Sequence, residues 1–548
     1  MEIKKKGVFM LVDGKLLIGK TDDGKELSIL PKMANRHGLI TGASGSGKTI
    51  TLKVMAESFS ESGVPVFLAD VKGDLAGTSV AGEMNEAIQK RLDKIGVKDF
   101  EAKSFPVRFW DLFGTEGHPL RATVESIGPE VLSIMLGLTE AQEGNLAIAF
   151  AIAKDENLAL IDLKDLRAVL QYVSENKDKY STRYGNITTQ SIGVIQRSLL
   201  MLENQGADHF FGQPSLEIND FFTNDSDGRG IINVLHAVTL FESPDMYAAF
   251  LLWLLTTLFF SSSEVGDLEK PKLVFFFDEA HLLFNGMPTY RLKRITQIVK
   301  LIRSRGIGLY FISQSPTDIP DEILAQLGNR VQHSLRAYTP SEQKSVKAAA
   351  QAFRTNPEFD TEKAILELGT GEALISFQNE KGAPGVVERA TILPPQSLMG
   401  AIDGMTRNKI INASPLTGKY DEVQDIESAS EIIQQKADTL KAEETAKEEA
   451  EAARKQQEMA DKAAEKAANE QAKLAEKERI AAQKAHEKAE AKRQRDEEKR
   501  RLEAEREAKK AKEKTKRMTD RFLGNVIGSV GSSVGRKISS KIFKDLFK

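Results

Sequence analysis

Apolar positions along the chain fall into short runs broken by glycine, proline and acidic turns. The spacing inside each run separates strands from helices. Within residues 1–30 the runs VFMLV, LLIGK and ELSIL are divided by Asp-Gly and Gly-Lys turns, which predicts a short N-terminal β segment of two or three strands. HGLIT, ending at Thr41, predicts a buried strand. A glycine-rich loop follows it, and ITLKVMAESF then carries helical spacing. VPVFLAD predicts a second buried strand. Strand patterns return at Gly230–Ala237, Leu273–Phe277, Gly308–Ser313, Asn329–Leu335 and Glu372–Ser376. Strands alternating with helices predict an α/β fold with a parallel-rich sheet.

Residues 115–225 change period. PEVLSIMLGLTEAQEGNLAIAFAIAK and DLKDLRAVLQYVSENK space their apolar residues as helices do. This region is expected to be a mainly helical insertion that splits the core into 31–114 and 226–410. Tyr247–Phe260 is the longest apolar run. At 14 residues it is short of the 18 or so that a membrane-spanning helix needs. Ser243-Pro244-Asp245 before it is a good helix start, so the run predicts a buried helix. The N-terminus carries no secretory pattern, and the cytoplasm is the expected location.

From Asp421 to Arg521 there is no glycine, proline or aromatic residue. Residues 421–517 are expected to form a charged helical tail rich in Ala, Lys and Glu. Leu440, Met459, Leu474, Ile480 and Leu502 are isolated, so a long solvated helix fits better than a coiled coil, which needs a sustained apolar seam. Residues 518–548 carry Leu523, Ile527, Val530, Val534, Ile538, Ile542 and Leu546 at three- to four-residue spacing. They read as a basic amphipathic segment that docks on its own oligomer. The alternative is an anchor for a membrane or a partner.

Composition sharpens this picture in two places. Lys and Arg number 76 against 79 Asp and Glu, so a globally basic nucleic-acid binder is excluded. The balance hides a gradient, because residues 421–460 sum to −7 and residues 491–548 to +10. The absence of cysteine excludes disulfides, thiolate metal sites and a cysteine nucleophile.

The chemistry lies in the glycine-rich loop. Gly42-Ala43-Ser44-Gly45-Ser46-Gly47-Lys48-Thr49 matches the phosphate-binding pattern G-x-x-x-x-G-K-[ST] between a strand and a helix. Glycines let the backbone wrap a phosphate with its N–H groups, and the helix that carries Thr49 and Ile50 adds its positive end. Lys48 is placed for the β- and γ-phosphates of ATP and Thr49 for Mg2+. The strand Leu273–Phe277 ends in Asp278 and Glu279. Asp278 is the expected Mg2+ partner, and Glu279 the expected base for an attacking water. His281 completes the string Asp-Glu-Ala-His of superfamily 2 helicases. Only about 100 residues separate Gln314 from the tail, too few for the second RecA-like domain those enzymes need. His281 therefore reads as a coincidence or a local helix-capping contact.

Gln314 ends another buried strand, where an amide can orient water beside the γ-phosphate. Arg303 and Arg305 precede that strand; Arg330 and Arg336 flank the next. Arg303 and Arg336 are the stronger candidates for a guanidinium that stabilises transition-state charge.

TGASGSGKT, ADVKGDLAG, FFFDEAHLLF, RSRGIGLYFISQSPTDIP and LGNRVQHSLRAYTP, in this order, resemble the HerA/FtsK superfamily, and most of all its HerA-like bacterial ATPases. FWDLFGTEGHPLRAT and LGLTEAQEGNLAIAF resemble that subgroup too. The resemblance spans residues 5–400 and the basic C-terminal end. It implies a RecA-like P-loop ATPase core, assembly as a hexameric ring, DNA as substrate, and a nuclease or another protein as partner. Lys48 and Thr49 match the Walker A pair, Asp278 and Glu279 the Walker B pair, and Gln314 the sensor. Arg303 lies where an arginine acting on a neighbouring subunit is expected. Asp70 and Asp74 match polar positions after the second core strand. The N-terminal barrel of HerA, and the membrane spans and winged helix of FtsK-like proteins, have no visible counterpart.

Overall fold

The computed structural model describes residues 9–284, 287 and 289–491. The segment 518–548 and the end of the charged tail lie outside them. The described chain forms two compact units, one up to Asp438 and one from Thr439 onward.

The first unit is built on a mixed sheet. Its strands are β1 (Leu11–Val12), β2 (Lys15–Lys20), β3 (Glu26–Ile29), β4 (Gly38–Thr41), β5 (Val66–Asp70), β6 (Val107–Asp111), β7 (His118–Pro119), β8 (Ile232–His236), β9 (Leu273–Phe277), β10 (Ile307–Ser313), β11 (Asn329–Gln332), β12 (Glu372–Ser376) and β13 (Glu388–Ile392). They lie in the order β1-β2-β13-β12-β11-β4-β10-β9-β5-β8-β6-β7, with β3 beside β2. From β11 to β7 every pairing is parallel. From β11 back to β1 every pairing is antiparallel.

The N-terminal β segment is thus not a separate module. β2 pairs with β13, a strand the sequence reading did not anticipate, and β1–β3 extend the core sheet. β4, β5, β9 and β10 are buried along their whole length. This is why they read as continuous apolar runs rather than alternating ones.

Apolar side chains pack on both faces of the sheet. On one face lies α1 (Lys48–Glu61), with Leu52, Met55, Ala56 and Phe59 in the core. Its far half is pinned to the chain after β13, where Glu57 accepts the N–H groups of Gln396 (2.8 Å) and Ser397 (3.3 Å). Helix α2 (Glu86–Lys94) follows β5.

On the other face lie the helices of the insertion: α3 (Val124–Met135), α4 (Glu140–Asp155), α5 (Leu163–Glu175), α6 (Lys177–Tyr184) and α7 (Thr189–Asn204). Residues 115–225 hold these five helices, and β7, inside that range, belongs to the sheet.

α8 (Pro244–Ser261) contains the long apolar run. Among the described residues it is the one helix long and apolar enough to cross a membrane by length and composition. It is a core helix here: twelve side chains from Met246 to Phe259 are buried against the insertion and the sheet. α9 (Thr289–Ile302) leads into β10.

The chain then passes over the first unit before the tail begins. Ser428 Oγ donates to Asp165 at 2.6 Å, and Gln424 N–H donates to the carbonyl of Gln213 at 3.0 Å. A single helix runs from Ala429 to Ala491. Leu440, Met459, Leu474 and Ile480 are all exposed, as a solvated helix requires. Pairs such as Glu451–Lys455 (2.7 Å) and Glu458–Lys462 (2.8 Å) lace its surface.

Candidate nucleotide site

β4, β10, β9 and β5 lie side by side and point the same way, so their carboxyl ends form one edge. Ser313 pairs with Thr41 and Phe311 with Phe277. This register sets Gln314 beside Gly42, and the Asp278-Glu279 pair on the next strand across. The residues that the sequence nominates on three distant segments therefore meet at one place.

The loop Gly42–Gly47 leaves β4 and enters α1, whose first residue is Lys48. Backbone contacts fix its shape. Ala43 N–H donates to the carbonyl of Ser334 (2.8 Å), and Gly371 N–H donates to that of Ser46 (3.0 Å). A Cβ on Gly42 would sit 2.5 Å from the Cβ of His333, so no larger residue fits there. Lys48 Nζ donates to the carbonyls of Gly42 (2.7 Å) and Ala43 (3.2 Å), which holds the lysine across the mouth of its own loop. Burial lowers the Lys48 ammonium below its ordinary range, with the charge of Glu279 opposing. Ser46 Oγ is buried without a partner. Ser44 and Gly45 are exposed at the tip, and Thr49 and Ile50 are half-buried on the first turn of α1.

His333 braces this loop from behind. Its Nε2 lies 2.8 Å from Thr51 Oγ1 on α1, and its Nδ1 2.9 Å from the carbonyl of Glu372 on β12. Burial lowers its pKa to about 4, with the Glu372 carbonyl opposing and the charges of Lys48 and Arg91 reinforcing the shift. The imidazole is a neutral strut. Its only signal in the sequence is its position after β11.

Asp278 and Glu279 are both buried. Burial raises the Asp278 carboxyl to about 7; the Glu279 charge adds to this, while Lys72 and Lys48 oppose it. Asp278 Oδ1 accepts the Glu279 N–H (2.9 Å). The hydroxyl of Tyr247 on α8 donates to the Asp278 carbonyl (2.9 Å). Glu279 adopts a left-handed backbone (φ 48°), a strained conformation for a residue with a Cβ. Among the described residues the His281 side chain makes no helix-capping bond; its Nδ1 faces Glu279 Oε2 at 3.5 Å.

Asp70 ends β5 at the same edge. Its carboxylate accepts N–H groups from Gly73 (2.7 Å), Leu75 (3.1 Å) and Ala76 (3.2 Å), which folds the turn that exposes Lys72. Asp70 is thus a loop organiser, and Lys72 is a basic residue of the site that its distance in sequence concealed.

The arginines divide by engagement. Arg330 donates to the carbonyls of Leu327, Ala352 and Leu324, each at 3.0 Å, and is structural. Arg305 bonds the Ser262 carbonyl and lies 4.1 Å from the centre of the Phe259 ring. Arg303 is part-exposed, with Asp267 at 3.9 Å, and stands before the amino end of β10. It is therefore at the opposite edge of the sheet from its own phosphate loop. Arg336, after β11, is exposed on the phosphate-loop edge.

The donor set suits a nucleoside triphosphate with a divalent cation. The loop has a glycine cradle that a Cβ would fill, an orphaned serine hydroxyl and a lysine. Facing it is a buried carboxyl whose raised pKa a cation would reverse.

A family model, helicase HerA-like C-terminal, matches residues 15–548. The chain belongs to this HerA-like family. It is a P-loop ATPase. The DNA double-strand break repair helicase HerA of Sulfurisphaera tokodaii is 24% identical over 379 residues, covering 66% of this chain and 67% of that protein. The protein of the same description from Sulfolobus acidocaldarius is 22% identical over 401 residues, 72% of each chain. Among solved structures, VirB4 of Thermoanaerobacter pseudethanolicus aligns over 70% of this HerA-like chain and 97% of its own, with 16% identity and a TM-score of 0.44.

Proposed function

We propose that this HerA-like ATPase is a motor that couples ATP hydrolysis to translocation along DNA, as a homo-oligomeric ring of six in the cytoplasm. The observation that carries the reading is the convergence of Lys48, Asp278 and Glu279 on one sheet edge in a member of the HerA-like family. The curated HerA relatives are described as DNA repair helicases, which favours DNA as the substrate.

In this reading the loop N–H groups and Lys48 take the phosphate charge. Thr49 and Asp278 would hold Mg2+, which neutralises the charge that develops on the phosphate oxygens. Glu279 takes a proton from water as the water oxygen bonds to the γ-phosphorus. The bond from that phosphorus to the bridging oxygen breaks, and its electron pair leaves with ADP. Gln314 orients the same water. Arg303, on the far edge, serves a neighbouring subunit; Arg336 is the alternative from the near edge.

The test is the ATPase rate with duplex DNA, single-stranded DNA, RNA or no nucleic acid, with particle images to count subunits. Stimulation by DNA, lost in Lys48→Ala and Glu279→Gln, is expected. Equal rates under all four conditions would sink the DNA motor.

A second reading is an ATPase that recruits or remodels protein partners, such as a nuclease, through its C-terminal tail, residues 421–548, which includes the solvated helix Ala429–Ala491. It predicts that partner binding is lost when residues 421–548 are removed while DNA-stimulated turnover persists.

A further inference from the structure

The carboxylate of Glu279 has a neighbour that the hydrolysis scheme leaves unused. His281 stands two residues on, in the short helical turn Ala280–Leu283 against which α8 packs. Its Nδ1 lies 3.5 Å from Glu279 Oε2. Both atoms are enclosed, and neither has a hydrogen-bond partner elsewhere among the described residues. Two orphaned polar atoms, one able to donate and one able only to accept, are each costly to bury and satisfy one another when paired. The separation is about 0.3 Å beyond the upper end of an ordinary N–H···O bond. Of the two Glu279 oxygens, only Oε2 is both enclosed and unpartnered. The strained backbone at Glu279 holds the carboxylate in this place, since a relaxed φ would move the side chain relative to the turn.

We propose that His281 is a positioning residue for Glu279: its Nδ1–H holds Oε2 and leaves the other oxygen to receive the proton of the attacking water. This rests on the reading of Glu279 as the base. His281 itself neither gains nor loses a proton. The water oxygen bonds to the γ-phosphorus, its proton passes to Glu279, and the displaced bridging oxygen leaves with ADP. A carboxylate fixed at one oxygen has fewer orientations to lose in the transition state. The contribution therefore falls on the chemical step and not on nucleotide binding.

The experiment uses the full chain and compares the wild type with Glu279→Gln, His281→Ala and His281→Asn. It measures kcat and KM for ATP, and binding of a fluorescent ATP analogue. His281→Ala is expected to lose about tenfold or more in kcat, with KM and analogue affinity within about twofold of wild type. His281→Asn, whose amide N–H replaces Nδ1–H, should recover most of the loss. The proposal is overturned if Glu279→Gln is inactive while His281→Ala keeps the wild-type kcat. Equal impairment of the Ala and Asn variants also overturns it, because that marks a packing role. If Glu279→Gln turns over at the wild-type rate, the base assignment itself falls, and the His281 role with it.

Discussion

Tyr247 donates its buried hydroxyl to the main-chain carbonyl of Asp278 across 2.9 Å. The bond ties a core helix to the strand end where the cation is expected. Tyr247→Phe leaves that carbonyl without its partner. The expected loss is about 1–3 kcal/mol of stability, measured by urea unfolding. The Mg2+ concentration for half-maximal ATPase should rise as well. Unchanged values for both would mean that the bond does not set the strand end.

Gly42→Ala tests the brace behind the phosphate loop. The added Cβ would fall 2.5 Å from His333 Cβ and 2.7 Å from Ser46 Oγ. The loop must shift, and its N–H groups with it. Nucleotide affinity should drop by about tenfold or more, read by titration with a fluorescent ATP analogue. Wild-type affinity would show that the loop tolerates the displacement.

His37 and His333 predict a defined acid sensitivity. His37 accepts the Leu309 N–H at Nδ1 (3.0 Å), and its Nε2 faces the Val299 carbonyl (2.8 Å). Burial lowers its pKa to about 4, as it does for His333. Between about 4 and 6.5 the unfolded chain binds protons that the native chain refuses, so stability falls as pH drops through this window. A His333→Gln variant should be about 2 kcal/mol less sensitive than wild type between pH 7.5 and pH 5. Denaturant unfolding at the two pH values decides it, and parallel losses in variant and wild type would contradict the assignment.

The position of a truncation matters. Ser428 and Gln424 bond to the insertion, and Lys436 pairs with Glu156 at 3.5 Å. A chain ending at Asp438 should keep the thermal stability of the ATPase unit, while one ending at Tyr420 should lose part of it. Melting curves of the two chains compare them directly. Equal midpoints would mean that residues 421–438 add nothing to the first unit.

The phosphate loop and the Asp278-Glu279 pair were legible because each is a contiguous string whose spacing is itself the chemistry. Gln314 was legible because a parallel sheet brings strand ends together. Tyr247 and His333 were not, because each acts through a contact that only the folded sheet creates, and Lys72 was not, because only the fold brings its charge near Asp278. Arg330 and Arg303 look alike in sequence. One spends its donors on three carbonyls and the other keeps them nearly free, a difference of local packing that no pattern encodes. β13 escaped because its few alternating residues read as an ordinary connection until β2 and β12 flank it.

β10 has Arg303 just before one end and Gln314 just after the other, with seven strand residues between them, a span of about 23 Å. Its covalent length cannot stretch. In the proposed ring this strand would act as a gauge rod between two catalytic stations. A change in nucleotide at one would reach the next as a tilt of the whole rod, and the pitch between stations would stay constant through the cycle.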